Sequence, residues 1–332
     1  MKVAALPFAA ALCAACASLA APPARNGFSF VVIGDTPYSD ADRAMLEEAI
    51  PAIAAGGFPF VIHVGDYKGG REACATERDD EFAALVERLL PTPVFYTPGD
   101  NEWTDCDRDD FAPGVQRLSE LARLARIRQR FFDKPLTGAE AFQYRRQPEQ
   151  AENATWRHEG VRFATIHLVG TANGRDYVGL DDLAAAGEAA DARDKANIAW
   201  ISEALRLAEE ERAIALIFAM QADLTDIGGA APCAGASARR QNCDAFSAAR
   251  MALQAAATSF DGPVLVIHGD TAPFTLNRTF AGDEAPNLWR LNAAGDANPV
   301  SGVRDVTLVT VNPKGPAPFA ARAFLSGGSP AD

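Results

Sequence analysis

Four separate apolar runs in this 332-residue chain end in the same two residues. They are Phe30-Val31-Val32-Ile33-Gly34-Asp35, Phe60-Val61-Ile62-His63-Val64-Gly65-Asp66, Val94-Phe95-Tyr96-Thr97-Pro98-Gly99-Asp100 and Val264-Leu265-Val266-Ile267-His268-Gly269-Asp270. A fifth run ends in Ala219-Met220-Gln221-Ala222-Asp223. Short runs rich in β-branched and aromatic residues read as buried strands. Longer Ala/Glu/Arg/Leu stretches of helical period lie between them. Strands are expected at 28–33, 59–64, 93–96, 161–169, 213–219 and 263–267, and helices at 40–55, 79–90, 115–132, 191–211 and 244–260. Such alternation predicts an α/β fold with a largely parallel sheet flanked by helices. Three further strands, at 287–291, 306–311 and 319–325, follow with no helix between them. They read as an antiparallel set that extends the same domain or forms a second sheet. The polar segment 137–154 reads as an exposed loop, and the tail 326–332 as frayed.

In a parallel sheet the C-terminal strand ends share one edge, where ligands bind in open α/β folds. Asp35, Asp66, Asp100 and Asp270 should therefore converge. Like charges at close range destabilise one another unless a cation sits among them, and oxygen-rich clusters suit hard divalent metals. The Gly before each Asp lets the backbone turn sharply. A single Gly-Asp would deserve no more than a helix-capping role. That role is assigned to Gly282-Asp283 and Gly295-Asp296, which lie in loop-like surroundings.

The net charge of −13, from 31 basic and 44 acidic residues, argues against binding a nucleic-acid duplex or an anionic membrane surface. Residues 1–20 read as a signal peptide, with Lys2 at its start and small residues at Ser18 and Ala20. Cleavage after Ala20 would leave 21–332 as a single domain, periplasmic or secreted. A lipoprotein anchored through Cys16 is the alternative. No later segment is long and apolar enough to span a bilayer. Four cysteines then remain, and the simplest pairing is Cys74–Cys106 with Cys233–Cys243.

The order strand–Gly-Asp, strand–Gly-Asp, strand–Gly99-Asp100-Asn101-Glu102 and late strand–Gly269-Asp270-Thr271 resembles the calcineurin-like metallophosphoesterases. Their motifs run Asp-x-His, Gly-Asp, Gly-Asn-His-Asp/Glu, a lone His and Gly-His-x-His. The resemblance runs from Phe28 to about Phe274, and Trp200-Ile201-Ser202-Glu203-Ala204-Leu205 resembles the helix before the lone His. It implies two packed mixed β-sheets flanked by helices, in a four-layer sandwich. By position, Asp35 matches the first metal Asp and Asp66 the Asp that bridges two metals. Asp100 stands at the Asn ligand position, Asn101 at the catalytic His, Gln221 at the lone His and Asp270 at the first His of the late motif. Pro37 and Ala272 replace two further His ligands.

One metal position thus loses two ligands. The other keeps Asp66, Asp100, Gln221 and Asp270, with His268 beside them. The resemblance implies one or two divalent ions, and the oxygen-dominated shell favours Mn, Mg or Ca over Zn or Fe. Asn101 cannot donate a proton, which leaves Glu102 and His268 as candidates for the leaving-group acid. Lys68 and Arg71, in a Gly-rich loop after Asp66, could hold a substrate phosphate. Tyr38 and Trp103 are placed either to line the cleft or simply to pack. His63 and His167 read as core residues, and His158 is given no role. The implied activity is hydrolysis of a small-molecule or nucleotide-like phosphate ester, as phosphomonoesterase or phosphodiesterase. The alternative is a catalytically impaired member serving as a binding or scaffold protein.

Overall fold

The computed structural model describes residues 27–111, 113–271, 273–280, 282–296, 303–315 and 317–332. The leader 1–20, Cys16 and Ala272 lie outside them.

The N-terminal half builds β1 (Phe28–Ile33), α1 (Asp40–Ala55), β2 (Val61–His63), α2 (Thr76–Arg88) and β3 (Val94–Tyr96). β1, β2 and β3 pair in parallel. The Ser39 side chain caps α1 by accepting from the Asp42 N–H, with Asp40 and Asp42 in the first turn. A further helix, α3 (Glu120–Ile127), is capped by Ser119. It starts later than the expected 115 because the preceding residues are irregular.

The second half builds β4 (Arg145–Arg146), β5 (Ala154–His158), β6 (Val161–Thr165), α4 (Leu183–Glu210), β7 (Ala215–Ala219), α5 (Ser247–Ser259) and β8 (Val264–His268). It closes with β9 (Thr275–Asn277), β10 (Leu288–Asn292), β11 (Thr307–Val311) and β12 (Phe319–Ala323). The strands form two mixed sheets, five-stranded β12-β11-β1-β2-β3 and seven-stranded β4-β5-β6-β7-β8-β10-β9.

Period-two alternation gives each sheet two buried faces. Phe30, Val32, Phe60, Ile62 and Phe95 of the first sheet meet Trp156, Phe163, Ile217, Leu265 and Ile267 of the second in one core. Val31, Ile33, Val61 and Val94 point the other way, against Met45, Leu46, Ala49 and Ile53 of α1. On the second sheet, Ala164, Leu216, Phe218, Val264 and Val266 meet Trp200, Ile201, Leu253 and Ala257 of α4 and α5. The result is helices, sheet, sheet, helices.

Three sequence readings need correction. The late strands are not one antiparallel set. β10 pairs in parallel with β8, while β11 and β12 join the first sheet beside β1. The segment read as an exposed loop carries β4, and β5 begins at its last residue. Its polar residues Gln147, Gln150, Glu152 and Asn153 are buried, and the amide of Asn197 on α4 accepts from Gln150 and Asn153. Polarity there reflects an internal hydrogen-bond network rather than exposure. Finally, Asp35, Asp66 and Asp100 leave one sheet and Asp270 leaves the other. The four are neighbours because the two packed sheets end at the same side.

The two disulfides are Cys74–Cys106 and Cys233–Cys243, as the spacing predicts.

Candidate metal centre

Three of the four Gly-Asp turns leave their Asp in the left-handed region. Asp35 has φ 51°, Asp66 φ 62° and Asp270 φ 72°. Asp tolerates this conformation better than most residues, yet non-Gly residues there still carry strain. The turns throw the carboxylates back over the strand ends. The glycines complete the arrangement by leaving out their Cβ atoms. A Cβ on Gly99 would lie 2.0 Å from Asp66 Oδ1, and one on Gly269 would lie 1.8 Å from Asp35 Oδ2.

A second strained segment meets these turns. Thr171, Ala172 and Asn173 have φ of 55°, 52° and 55°, and Gly174 follows at 72°. This left-handed turn is pinned by Asn173, whose side chain accepts from Arg193 Nε at 3.2 Å and donates to Asp194 at 2.6 Å. It delivers the Thr171 hydroxyl, which donates to Asp100 Oδ2 at 2.7 Å.

The site is a cavity of about 640 Å³ whose lining includes Asp35, Asp66, Asp100, Asn101, Asp270 and Arg71. Neutral donors lie between the acids. The Tyr38 hydroxyl reaches Asp66 Oδ2 at 2.9 Å and Asp35 Oδ1 at 3.3 Å. Gln221 Nε2 donates to Asp100 Oδ1 at 3.0 Å and to Asp66 Oδ2 at 3.2 Å. Gln221 Oε1 accepts from the Gly170 N–H at 2.6 Å, which fixes the amide with its NH₂ toward the carboxylates. Asp66 also accepts from the Asn101 N–H, and Asp35 from the Asp270 N–H.

Burial, then the charges of Asp100 and Asp296, pushes the Asp35 carboxyl up to about 7, against hydrogen bonds from Asp270 and Tyr38 that pull it down. Burial and the neighbouring Asp100 charge hold Asp66 and Asp270 well above the usual carboxylate range. The acids are thus crowded and incompletely compensated, the electrostatic signature of a cation or proton site.

Among the described residues, no three His, Cys, Asp or Glu side chains close to metal-holding distance. Two do approach over Gly170. A Cβ there would lie 2.5 Å from Asp100 Oδ2, and 2.9 and 3.0 Å from the two oxygens of Asp270. Two carboxylates over bare backbone, beside an open cavity, fit a hard ion that keeps water or substrate oxygens in its remaining positions.

Several sequence-based candidates stand outside the cavity wall. Lys68 is fully buried and its Nζ donates to the Gly69 and Glu72 carbonyls, so it does not face a substrate phosphate. Burial holds its pKa down, against the pull of Asp105 and Glu102. His268 is turned away, accepting from Arg290 Nε at 2.8 Å with its other nitrogen against the Gly269 carbonyl at 2.7 Å. Burial holds it neutral, with a pKa of about 4. Neither metal ligation nor proton donation from His268 agrees with that orientation. Glu102 lies beneath the site, where it accepts from the Asp66 N–H at 2.8 Å. Trp103 is buried against His167 and packs rather than lining the cleft.

Other residues in the wall escaped the sequence reading. Asp105, Arg108 and Asp296 line the cavity, and Asp296 belongs to the Gly-Asp pair that was given only a capping role. Its N–H donates to the Asp35 carbonyl at 2.9 Å. Arg108 Nη2 lies 2.7 Å from Asp105 Oδ2. Burial, then the Asp100 charge, raises the Asp105 carboxyl to about 7. The dense run Asp105-Cys106-Asp107-Arg108 after the Gly-Asp-Asn-Glu turn was the available signal.

The profile of the calcineurin-like phosphoesterases matches residues 28–274. The chain belongs to that family. No curated protein matches it. Among solved structures, PhoD is similar at 15% identity and TM-score 0.52, over 91% of this chain and 70% of PhoD. A dimetal phosphatase from Danio rerio aligns at 11% identity and TM-score 0.49, over 90% of this chain and 99% of its own. GAP50, the anchor in the inner membrane complex of Plasmodium, aligns at 10% and 0.48, over 92% and 87%. The chain thus keeps the fold of a family that usually binds divalent metals and hydrolyses phosphoesters.

Proposed function

We propose that this family member is an exported, metal-dependent hydrolase of phosphate esters. The observation that carries the reading is the meeting of Asp35, Asp66, Asp100 and Asp270 at one cavity that also has Arg71 and Arg108 in its wall. Carboxylates for a cation beside guanidinium groups for an anion make a site suited to a phosphoryl group.

Asp100 and Asp270 would hold the ion, with Asp35 and Asp66 flanking it. When bound, a divalent cation supplies Lewis acidity, lowering the pKa of water and polarising a phosphoryl oxygen. The chain's own residues do the rest. Thr171 orients the Asp100 carboxylate through its hydroxyl. Gln221 holds Asp66 and Asp100 at a fixed separation. Arg108, half-buried against Asp105, offers a cation to the phosphate. Asp105, raised by burial to about 7 and so part-protonated at neutral pH, would be the proton donor to the leaving oxygen. Asn101 Nδ2 donates to the Tyr38 hydroxyl at 3.0 Å, a positioning role rather than an acid's.

Export is supported by two disulfides, which persist in oxidising compartments. The direct experiment is turnover of a p-nitrophenyl phosphomonoester and phosphodiester by chelator-stripped protein with Mn, Mg, Ca or Zn added back. Ion-dependent turnover of either supports the proposal. Cation binding without turnover would favour the binding or scaffold alternative.

A further inference from the structure

We infer that this chain takes one divalent cation rather than two, in the Asp100–Asp270 cradle, because the Tyr38 hydroxyl stands in the place a second ion would need between Asp35 and Asp66. The inference rests on the metal-dependent reading above and concerns how this chain's residues divide the site.

Tyr38 is anchored at both ends. Its backbone N–H donates to Asp42 Oδ2 at 3.0 Å, at the capped start of α1. Its hydroxyl lies 2.9 Å from Asp66 Oδ2 and 3.3 Å from Asp35 Oδ1, and accepts from Asn101 Nδ2 at 3.0 Å. The phenol oxygen is therefore donor and acceptor at once, with its polar neighbours supplied by three different turns. A hydroxyl bonded between two carboxylates occupies the position from which a cation would attract both.

The remaining capacity of Asp66 is also taken. Its Oδ1 accepts from the Asn101 N–H at 3.1 Å, and Gln221 Nε2 reaches Oδ2 at 3.2 Å. The Gln221 NH₂ faces Asp66 and Asp100 because Oε1 is committed to Gly170. An amide NH₂ donates hydrogen bonds and does not ligate a cation. Asp66 is thus a carboxylate met by three protein donors. The residue type at one lost ligand position agrees, since the Pro37 side chain has no donor atom to offer a metal.

The Asp100–Asp270 side differs. Three carboxylate oxygens gather over Gly170, where a Cβ would lie 2.5 to 3.0 Å from them. The side-chain donor to Asp100 Oδ2 is the Thr171 hydroxyl, which can rotate its hydrogen away when a cation arrives. Gln221 also donates to Asp100 Oδ1 at 3.0 Å, so on this side Asp100 Oδ2 and the Asp270 carboxylate remain to take a cation.

The test counts ions. Chelator-stripped full-length mature protein is titrated with Mn²⁺ alone by calorimetry, and the metal retained after desalting is measured by elemental analysis. Wild type should bind one Mn²⁺ per chain. Tyr38→Ala, checked for native circular dichroism and melting, should bind two, because Asp35 and Asp66 are released to a second ion. Tyr38→Ser repeats the measurement with a smaller change in polarity, should the alanine variant fold poorly. Two ions in wild type would overturn this inference while leaving metal dependence standing. No ion would overturn both. A single ion in both variants would overturn the part given to the hydroxyl, and loss of the wild-type ion in them would make Tyr38 a ligand instead. One ion with no phosphoester turnover would sink the hydrolase proposal and leave this inference intact.

Discussion

Gly269 has no side chain, and the Asp35 carboxylate uses that space. An added Cβ would lie 1.8 Å from Asp35 Oδ2, a distance at which something must shift. Gly269→Ala should displace the Asp35 carboxylate, and with it the hydrogen bonds from Tyr38 and the Asp270 N–H. Displacements of about 1 Å at a reacting centre cost on the order of 100-fold in rate. Phosphoester turnover should fall by about that factor. Wild-type turnover in this variant would place Asp35 outside the chemistry. At this scale the sequence was informative where one residue type recurs at one structural position. The repeated Gly-Asp marked Asp35, Asp66, Asp100 and Asp270 without reference to any partner. It could not say which way a long side chain turns. Lys68 follows Asp66 closely yet is buried on its own loop carbonyls, while Arg108 reaches the cavity. Those outcomes depend on tertiary packing that no local pattern encodes.

The short helical segment Thr104–Asp107 joins two predictions, because it ends in a disulfide cysteine and a buried acid. Cys106 is tied to Cys74 across a separation of 32 residues, linking the loops that follow Asp66 and Asp100. Cys106→Ser with Cys74→Ser should cost about 2–4 kcal/mol of stability, read as a lowered denaturant midpoint with an unchanged slope. An unchanged midpoint would mean that the bond staples nothing. Asp107 is fully buried beside Glu120, at the start of α3. Burial, followed by the charges of Asp107, Asp181 and Asp105, pushes the Glu120 carboxyl from 4.5 to about 10. A carboxyl raised in the folded state favours folding while protonated. Its contribution is therefore intact below about pH 4.5 and is lost progressively as pH rises toward about 10. Glu120→Gln keeps the neutral form at every pH. The variant should melt higher than wild type at about pH 8, and the gap should close toward pH 4. A constant gap across that range would exclude Glu120 as the titrating group. Elements were legible where period and caps agreed, as in α1, whose expected and observed limits coincide. β5 was missed because Trp156-Arg157-His158 reads as polar at its end, although Trp156 itself is fully buried.

Across the whole molecule, the two sheets carry the function by packing face to face. Their C-terminal strand ends then bring Asp35, Asp66 and Asp100 from one sheet against Asp270 from the other. Strand–helix alternation made the α/β class readable, and the resemblance supplied the second sheet. Alternation alone could not, because the partner sheet of a strand is set by contacts remote in sequence, such as β1 with β11. The loops after Asp66 and Asp100 are drawn together by the Cys74–Cys106 bond, and this bond and Cys233–Cys243 suit an oxidising compartment. Among the described residues, no helix is long and apolar enough to cross a membrane. If the chain is exported as proposed, N-terminal sequencing of the mature protein should begin near Ala21, and retention of Met1 would refute cleavage. The account as a whole rests on a cation held by these carboxylates acting on a phosphoester. The most direct measurement is Mn²⁺-dependent turnover of a p-nitrophenyl phosphoester by wild type and by Asp270→Asn. The substitution keeps the side chain's size while removing a charge that burial and Asp100 already oppose. The account predicts turnover that vanishes on chelation, returns with Mn²⁺, and is lower in the variant by on the order of 100-fold or more, with the fold retained. Turnover indifferent to chelation, or equal in the two proteins, would contradict it.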